Sequence, residues 1–252
     1  MLQARVIPVL LLKGKGLVKT VKFSQPKYIG DPINAVKLFN DKETDELVFL
    51  DIEASKQGRG PDFELIKNIA TECFMPLGYG GGIRDIADIE KLFSIGVEKV
   101  VINSTALKSL DLISQSAQIY GSQSIVLSVD VQKSIWGNYQ VHSHSNSKHS
   151  QTNFIQYIQD AERAGAGEII LNATDRDGLM KGYDLVLLSK VVEATQIPVV
   201  ICGGAGSLED FRIAVDKGAS GVAAGSFFVF HGPHKAVLIN YPTQQQLKQL
   251  FI

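Results

Sequence analysis

The chain has 252 residues, 45% of them hydrophobic, with a formal net charge of -1 at pH 7 and two cysteines. That length and apolar content support a large core at the upper end of the single-domain range, and the balanced charge gives no field that would favour nucleic acid. No apolar run approaches the roughly 18 residues of a membrane span, the N-terminus lacks a signal-peptide layout, and Cys73 and Cys202 each sit in an apolar segment, so a cytoplasmic chain with buried free thiols is expected.

Eight short apolar or β-branched runs follow one another: Val6–Leu12, Leu47–Asp51, Met75–Tyr79, Lys99–Asn103, Ser124–Asp130, Glu168–Ala173, Ile197–Cys202 and Gly221–Gly225. Between them lie stretches such as "DIADIEKLFSIG" and "SLEDFRIAVDKG", apolar at three- and four-residue spacing, which predict amphipathic helices. Continuous apolar strands alternating with such helices imply parallel pairing with both faces covered. Eight units predict one (β/α)8 TIM barrel over residues 1–252 rather than a doubly wound open sheet. The chain also repeats itself: Glu46, Pro76, Gly81, Gly82, Gly96 and Ser104 recur as Glu168, Pro198, Gly203, Gly204, Gly218 and Ser226 at one constant offset of 122 residues. Two half-barrels, approximately 1–122 and 123–252, are the natural reading. Upstream the offset is 119, which aligns Lys13 with Gln132 and Leu11 with Asp130, and places a three-residue insertion in the loop after the fifth strand.

The first strand, "RVIPVLLLKGKG", empties into a glycine-rich loop, and the fifth, "SIVLSVDVQ", carries Asp130 near its end. Glycine clusters follow the third and seventh strands ("GYGGGIR", "CGGAGS"), and small polar endings follow the fourth and eighth ("INSTA", "AAGSF"). Glycines let backbone N–H groups approach an anion, and barrels often hold phosphate with the loops after strands seven and eight. Here the arrangement occurs twice, which predicts a ligand with two phosphates; the competing reading is that the glycines only make tight turns.

The order "DELVFLDI", "GGGIR", "EKVVINS", "GSQSIV", "GAGEIILNATDRDG", "KGYD", "IPVVICGGAG", "AAGSFF" resembles the cyclase subunit of imidazole glycerol phosphate synthase over nearly the whole chain. The resemblance implies a barrel docked as a heterodimer on a glutaminase. The ammonia made there crosses the base and lumen to the mouth and attacks a bis-phosphorylated aminoimidazole precursor, with two carboxylates moving the protons. No cofactor is implied. By position, Arg5, Glu46, Lys99 and Glu168 match the charged ring of the ammonia gate, for which plain salt bridging is the alternative, and Glu98 matches an acidic docking residue. Gly82, Asn103 and Ser104 match one phosphate site; Asp177, Gly178, Gly204, Gly225 and Ser226 match the other. Lys19 matches the lysine of a mobile loop that closes over substrate, and Asp130 matches one catalytic carboxylate.

The position of the second carboxylate holds Leu11, with Lys13, Lys19, Asp31 and Pro32 still in register. Leucine neither donates nor accepts a proton, and general acid–base catalysis contributes about 10²–10⁴-fold. Glu53, Tyr79 and Leu179 replace smaller or hydroxyl-bearing residues expected to line the mouth, so Leu11→Asp is expected to restore only feeble cyclase activity. The opening and ending of the chain look much like paralogues associated with amidation of nucleotide sugars for surface polysaccharide (O-antigen, lipopolysaccharide). In these, the barrel and a glutaminase are thought to supply ammonia to an ATP-dependent sugar amidotransferase. The alternatives are a working cyclase of histidine biosynthesis, a lyase, and a non-catalytic scaffold that activates the glutaminase. Ala at Lys99 or Glu46 is expected to disturb glutamine-dependent transfer more than folding. No metal site is predicted: His231 and His234 frame a Gly-Pro turn, and His142, His144 and His149 read as part of a solvated loop after strand five, where Trp136 is expected to pack.

Overall fold

A computed structural model of the chain describes residues 4–134, 136–142 and 153–251. Eight parallel strands form the barrel: β1 (Arg5–Lys13), β2 (Leu47–Asp51), β3 (Leu77–Gly80), β4 (Lys99–Ile102), β5 (Ile125–Lys133), β6 (Glu168–Ala173), β7 (Val199–Cys202) and β8 (Gly221–Ala224). Each pairs with the next, and β8 returns to β1 through Arg5↔Gly221 to Pro8↔Ala224, so the sheet closes without an edge. The predicted (β/α)8 barrel is the observed fold.

The helices are α1 (Pro32–Asp41), α2 (Phe63–Glu72), α3 (Ile86–Ser94), α4 (Asp111–Tyr120), α5 (Phe154–Ala164), α6 (Leu185–Val192) and α7 (Leu208–Asp216), with a short α8 (Ser226–Val229) and α9 (Gln244–Leu250) after β8. Their starts are written locally. Asp31, Asp62, Asp85, Asn153, Asp184 and Ser207 each accept a hydrogen bond from a first-turn amide, which satisfies one of the open N–H groups there. The repeat extends to the hydrogen bonds: Leu47 N–H donates to the Pro76 carbonyl, and Ile169 N–H to the Pro198 carbonyl, both at 2.9 Å. Those prolines lie before β3 and β7, which begin two residues later than predicted, because proline has no N–H to give to a ladder.

Strand alternation divides the core in two. Leu10, Leu12, Phe49, Leu77, Tyr79 and Ile102 point outward into the layer beneath the helices. Ile7, Val9, Val48, Val101, Val126, Ile170, Val200 and Ala223 point inward and fill the lumen.

The chain after β1 departs from expectation. It is an antiparallel hairpin of Gly16–Val21 and Ser24–Gly30, laid on β1 through Leu11↔Val18, rather than an open loop. Its tip residues Lys22 and Phe23 both have positive φ, 48° and 59°, the geometry of a tight two-residue hairpin turn without its usual Asn-Gly signature. In the other half, Tyr139–Val141 pairs likewise with β5. Trp136, expected to pack, is 85% exposed at the tip of that second ribbon. His144 and His149 lie outside the described residues.

Candidate functional site

The inward positions at the N-terminal ends of the strands carry Arg5, Glu46, Lys99 and Glu168. They form a closed ring: Arg5 pairs with both glutamates, and the Lys99 ammonium lies 2.9 Å from Glu46 and 2.8 Å from Glu168. Both carboxylates are buried, and each is matched by two cations, which is what makes their burial tolerable. Glu98 is exposed on the same face, just before β4, and Phe74, 85% exposed, protrudes from the loop between α2 and β3. Sequence reading passed over Phe74, since an aromatic beside a strand normally signals core. Above the ring the lumen is apolar up to the mouth.

At the C-terminal ends a cavity of about 150 Å³ brings together Leu11, Lys19, Asp130 and all eight predicted cradle residues: Gly82, Asn103 and Ser104 on one side, and Asp177, Gly178, Gly204, Gly225 and Ser226 on the other. Gly82 and Gly204 have φ of +74° and +119°, so the turns alone account for them. What points to a ligand is Ser226, whose buried hydroxyl has no protein partner. Asp177 accepts from the Thr20 hydroxyl at 3.2 Å, and its carbonyl accepts from Lys22 N–H at 3.1 Å, which fastens the hairpin across the mouth. Lys19 lies on that hairpin, 5% exposed, against the bare Cα of Gly225, so it is a strand residue inside the mouth and the expectation of a loop lysine is corrected. A methyl group at Gly225 would occupy the place of the Lys19 ammonium. Gly225→Ala is therefore expected to displace Lys19 and, on the expectation from the sequence that this mouth takes a phosphorylated ligand, to weaken binding of inorganic phosphate by about tenfold, read by calorimetry, the order expected for losing one charge-assisted contact.

Asp130 is buried and accepts from Asn103 Nδ2 at 2.7 Å and from Asn172 Nδ2 at 2.9 Å. Asn103 thus spends an amide donor on the carboxylate. Asn172 and Asp51 also line the mouth and were missed by sequence reading, because an Asn or Asp at a strand end carries no distinguishing local pattern. Asp51, on the strand beside β1, does not replace a carboxylate at position 11. It is bound by Arg59 at 2.8 Å and by the Glu53 and Ala54 amides, both at 3.0 Å.

The chain matches the histidine biosynthesis protein family over residues 5–234. It is 51% identical over 248 residues, covering 98% of this chain and 99% of the relative, to a Pseudomonas aeruginosa protein provisionally named imidazole glycerol phosphate synthase subunit hisF2. It is 47% identical over 253 residues to a Leptospira interrogans protein provisionally named as subunit HisF of the same synthase, with 100% of both chains covered. Against the imidazole glycerol phosphate synthase subunit HisF of Thermobifida fusca it is 38% identical over 234 residues, 91% of each chain. The chain belongs to the HisF-like histidine biosynthesis protein family.

In this HisF-like barrel the inward end of β1 is Leu11, 6% exposed and lining the mouth, in register with Leu50 of β2. The other departures lie elsewhere. Tyr79 alternates outward and is buried under the helices, Leu179 and Glu53 are absent from the cavity wall, and Glu53 faces Lys13 at 3.4 Å. The expectation that they reshape the mouth is overturned for Tyr79 by the parity of β3, and Glu53 is drawn to Lys13 instead. Cys202 does line the mouth. Burial pushes its thiol up to about 12, Lys19 opposing and Asp177 adding to the rise. At pH 8 the group is therefore protonated in the fold and becomes reactive only on unfolding, when it returns to its ordinary range. Iodoacetamide at pH 8 is expected to leave Cys202 unlabelled in the native protein and to label it in urea, checked by peptide mass analysis. Among the described residues no set of three His, Cys, Asp or Glu side chains converges, His231 and His234 are exposed, and no helix is long and apolar enough to cross a membrane.

Proposed function

We propose that this barrel is the ammonia-accepting subunit of a cytoplasmic heterodimer with a glutaminase, and that it serves amidation of a sugar or nucleotide sugar for surface polysaccharide rather than imidazole ring closure. The observation that carries the second half is Leu11. An aliphatic side chain stands in the mouth where proton transfer needs an ionisable one, while the salt-bridged ring, the apolar lumen and the convergence of Asp130, Lys19 and Ser226 on the mouth support a retained route for ammonia.

Neutral ammonia, unlike ammonium, can cross an apolar lumen because it carries no charge to desolvate. On this reading the paired ring admits ammonia when one of its contacts opens, Glu98 and Phe74 face the glutaminase, and Lys19, Ser104 and Ser226 hold a phosphorylated ligand. Attack requires the carbonyl oxygen to have been converted, by a separate ATP-dependent sugar amidotransferase, into a phosphate-type leaving group; as ammonia forms the new C–N bond that group departs, and Asp130 takes up the proton that the nitrogen releases and passes it to solvent. A cyclase reading is supported by the names of the relatives, and a scaffold reading by the loss at position 11. The test is direct. Purified barrel, ammonium at pH 8.5 and the bis-phosphorylated aminoimidazole precursor are expected to give imidazole glycerol phosphate at no more than a trace rate, while the barrel binds and stimulates its glutaminase. Robust turnover would reverse the assignment. Stimulation that survives loss of both Asp130 and the cradles, in a complex that amidates nothing, would favour the scaffold.

A further inference from the structure

We propose that Asn172, acting with Asn103, is a positioning residue that holds the Asp130 carboxylate as a hydrogen-bond acceptor on both oxygens, so that the end of β5 serves as a base and not as an acid. Asn103 Nδ2 donates to Oδ2 at 2.7 Å and Asn172 Nδ2 donates to Oδ1 at 2.9 Å. The two donors arrive from opposite sides, because Asn103 follows β4 and Asn172 sits on β6, directly across from Asp130 in the ladder. The orientation of Asn172 follows from its neighbour, since turning the amide over would set its carbonyl against the carboxylate. The carbonyl oxygen left over, Asn172 Oδ1, is buried and has no protein partner, so Asn172 is held by its bond to Asp130 and not by a network of its own.

A protonated carboxyl group is itself a donor and needs one oxygen facing an acceptor. With an N–H group aimed at each oxygen, the charged form is the better matched. Among the described residues, the other charges lining the mouth come from the hairpin, from the end of β2 with the loop after it, and from the segment after β6. Lys19 on the hairpin and Lys56 after β2 favour the charged form. Asp177, after β6, and Asp51, at the end of β2, oppose it, the latter already matched by Arg59. Cys202 on β7 stays a neutral thiol. His142 meets Asp130 through the main chain, its N–H donating to the Asp130 carbonyl at 2.7 Å, while its ring stacks on Phe23. The ligand atom that meets Asp130 must therefore bear a proton to give, an N–H or O–H. A reaction that needs a proton delivered there must draw it from another group, and Leu11 is not one.

The inference rests on Asp130 being the remaining reacting carboxylate, but its test reads the carboxylate and not turnover. Full-length barrel labelled with carbon-13 at the aspartate carboxyls is titrated by NMR as wild type, Asn172→Leu, Asn103→Leu and Asn172→Gln. In the wild type Asp130 is expected to titrate below the ordinary aspartate value of about 3.9. Asn172→Leu, similar in size but without a donor, is expected to raise the midpoint by about one unit, and Asn172→Gln to recover part of that rise. A wild-type midpoint above about 5, or a folded Asn172→Leu protein with an unmoved midpoint, would overturn the inference. If Asn172→Leu does not fold, the wild-type midpoint and Asn103→Leu still decide. Cyclase turnover would sink the proposed function and leave this assignment standing; a neutral Asp130 would do the reverse.

Discussion

Leu11→Asp is expected to raise formation of imidazole glycerol phosphate from ammonia by about 10²–10⁴-fold over the unmodified chain, the range that one general acid or base contributes. The sequence alone predicts at most feeble activity for this variant, on the premise that Tyr79 and Leu179 reshape the pocket. The structure removes the main part of that premise, because Tyr79 lies on the outward face of β3, buried under the helices. What stays at the mouth is a pair of cradles, Lys19, and Asp130 with its two amide donors. The substitution exchanges a buried apolar side chain for a carboxylate, so a loss of roughly 2–3 kcal/mol in stability accompanies it, read from the urea midpoint. Leu11→Asn is the control. It has the shape of aspartate without its proton chemistry and is expected to show the stability loss and none of the gain. If Leu11→Asp folds and stays inactive, the single-residue account of the missing reaction fails, and attention moves to Phe23 and Met180, which also line the mouth.

Lys99→Met carries the second large effect. Lys99 bridges Glu46 and Glu168, whose side chains are 4% and 6% exposed, so its loss leaves two buried carboxylates sharing Arg5. Removing one partner of a buried pair typically costs about 3–5 kcal/mol; with the Lys99 side chain 19% exposed, roughly 2–4 kcal/mol is expected. The sequence alone predicts that Ala at Lys99 or Glu46 disturbs glutamine-dependent transfer more than folding. The closed ring changes that expectation, because each glutamate is buried on the strength of both cations. Adding Glu46→Gln to Lys99→Met restores the charge balance and is expected to recover about half of the stability without recovering coupling. In the reconstituted complex, glutamate release should persist while ammonia escapes to bulk solution. Recovery of stability and coupling together would show that the ring is only a structural clasp.

The barrel was legible in the residues because each layer repeats. Apolar runs mark the strands, caps such as Asp31, Asp85 and Ser207 mark the helix starts, and the recurrence of Gly81, Gly82 and Ser104 as Gly203, Gly204 and Ser226 places two cradles on one mouth. The hairpin after β1 was not legible. Its turn is Lys22-Phe23, which carries no signature of positive φ, and the pairing energy that enforces it comes from β1, a neighbour in space.

By itself the sequence determined the fold class, through periodicities of two and 3.6 that are local, and the leucine at position 11. The residues proposed for the two cradles and the base ring came from the resemblance to a known family, matched position by position. Only the tertiary structure decided that Tyr79 faces the helices, that Lys19 lies inside the mouth against Gly225, and that Asn103 and Asn172 both give their amides to Asp130. Those facts turn on which side of a strand faces the axis and on which residues of distant strands meet there. Hydrogen bonds between side chains 27 and 42 positions apart leave no trace in the order of the chain.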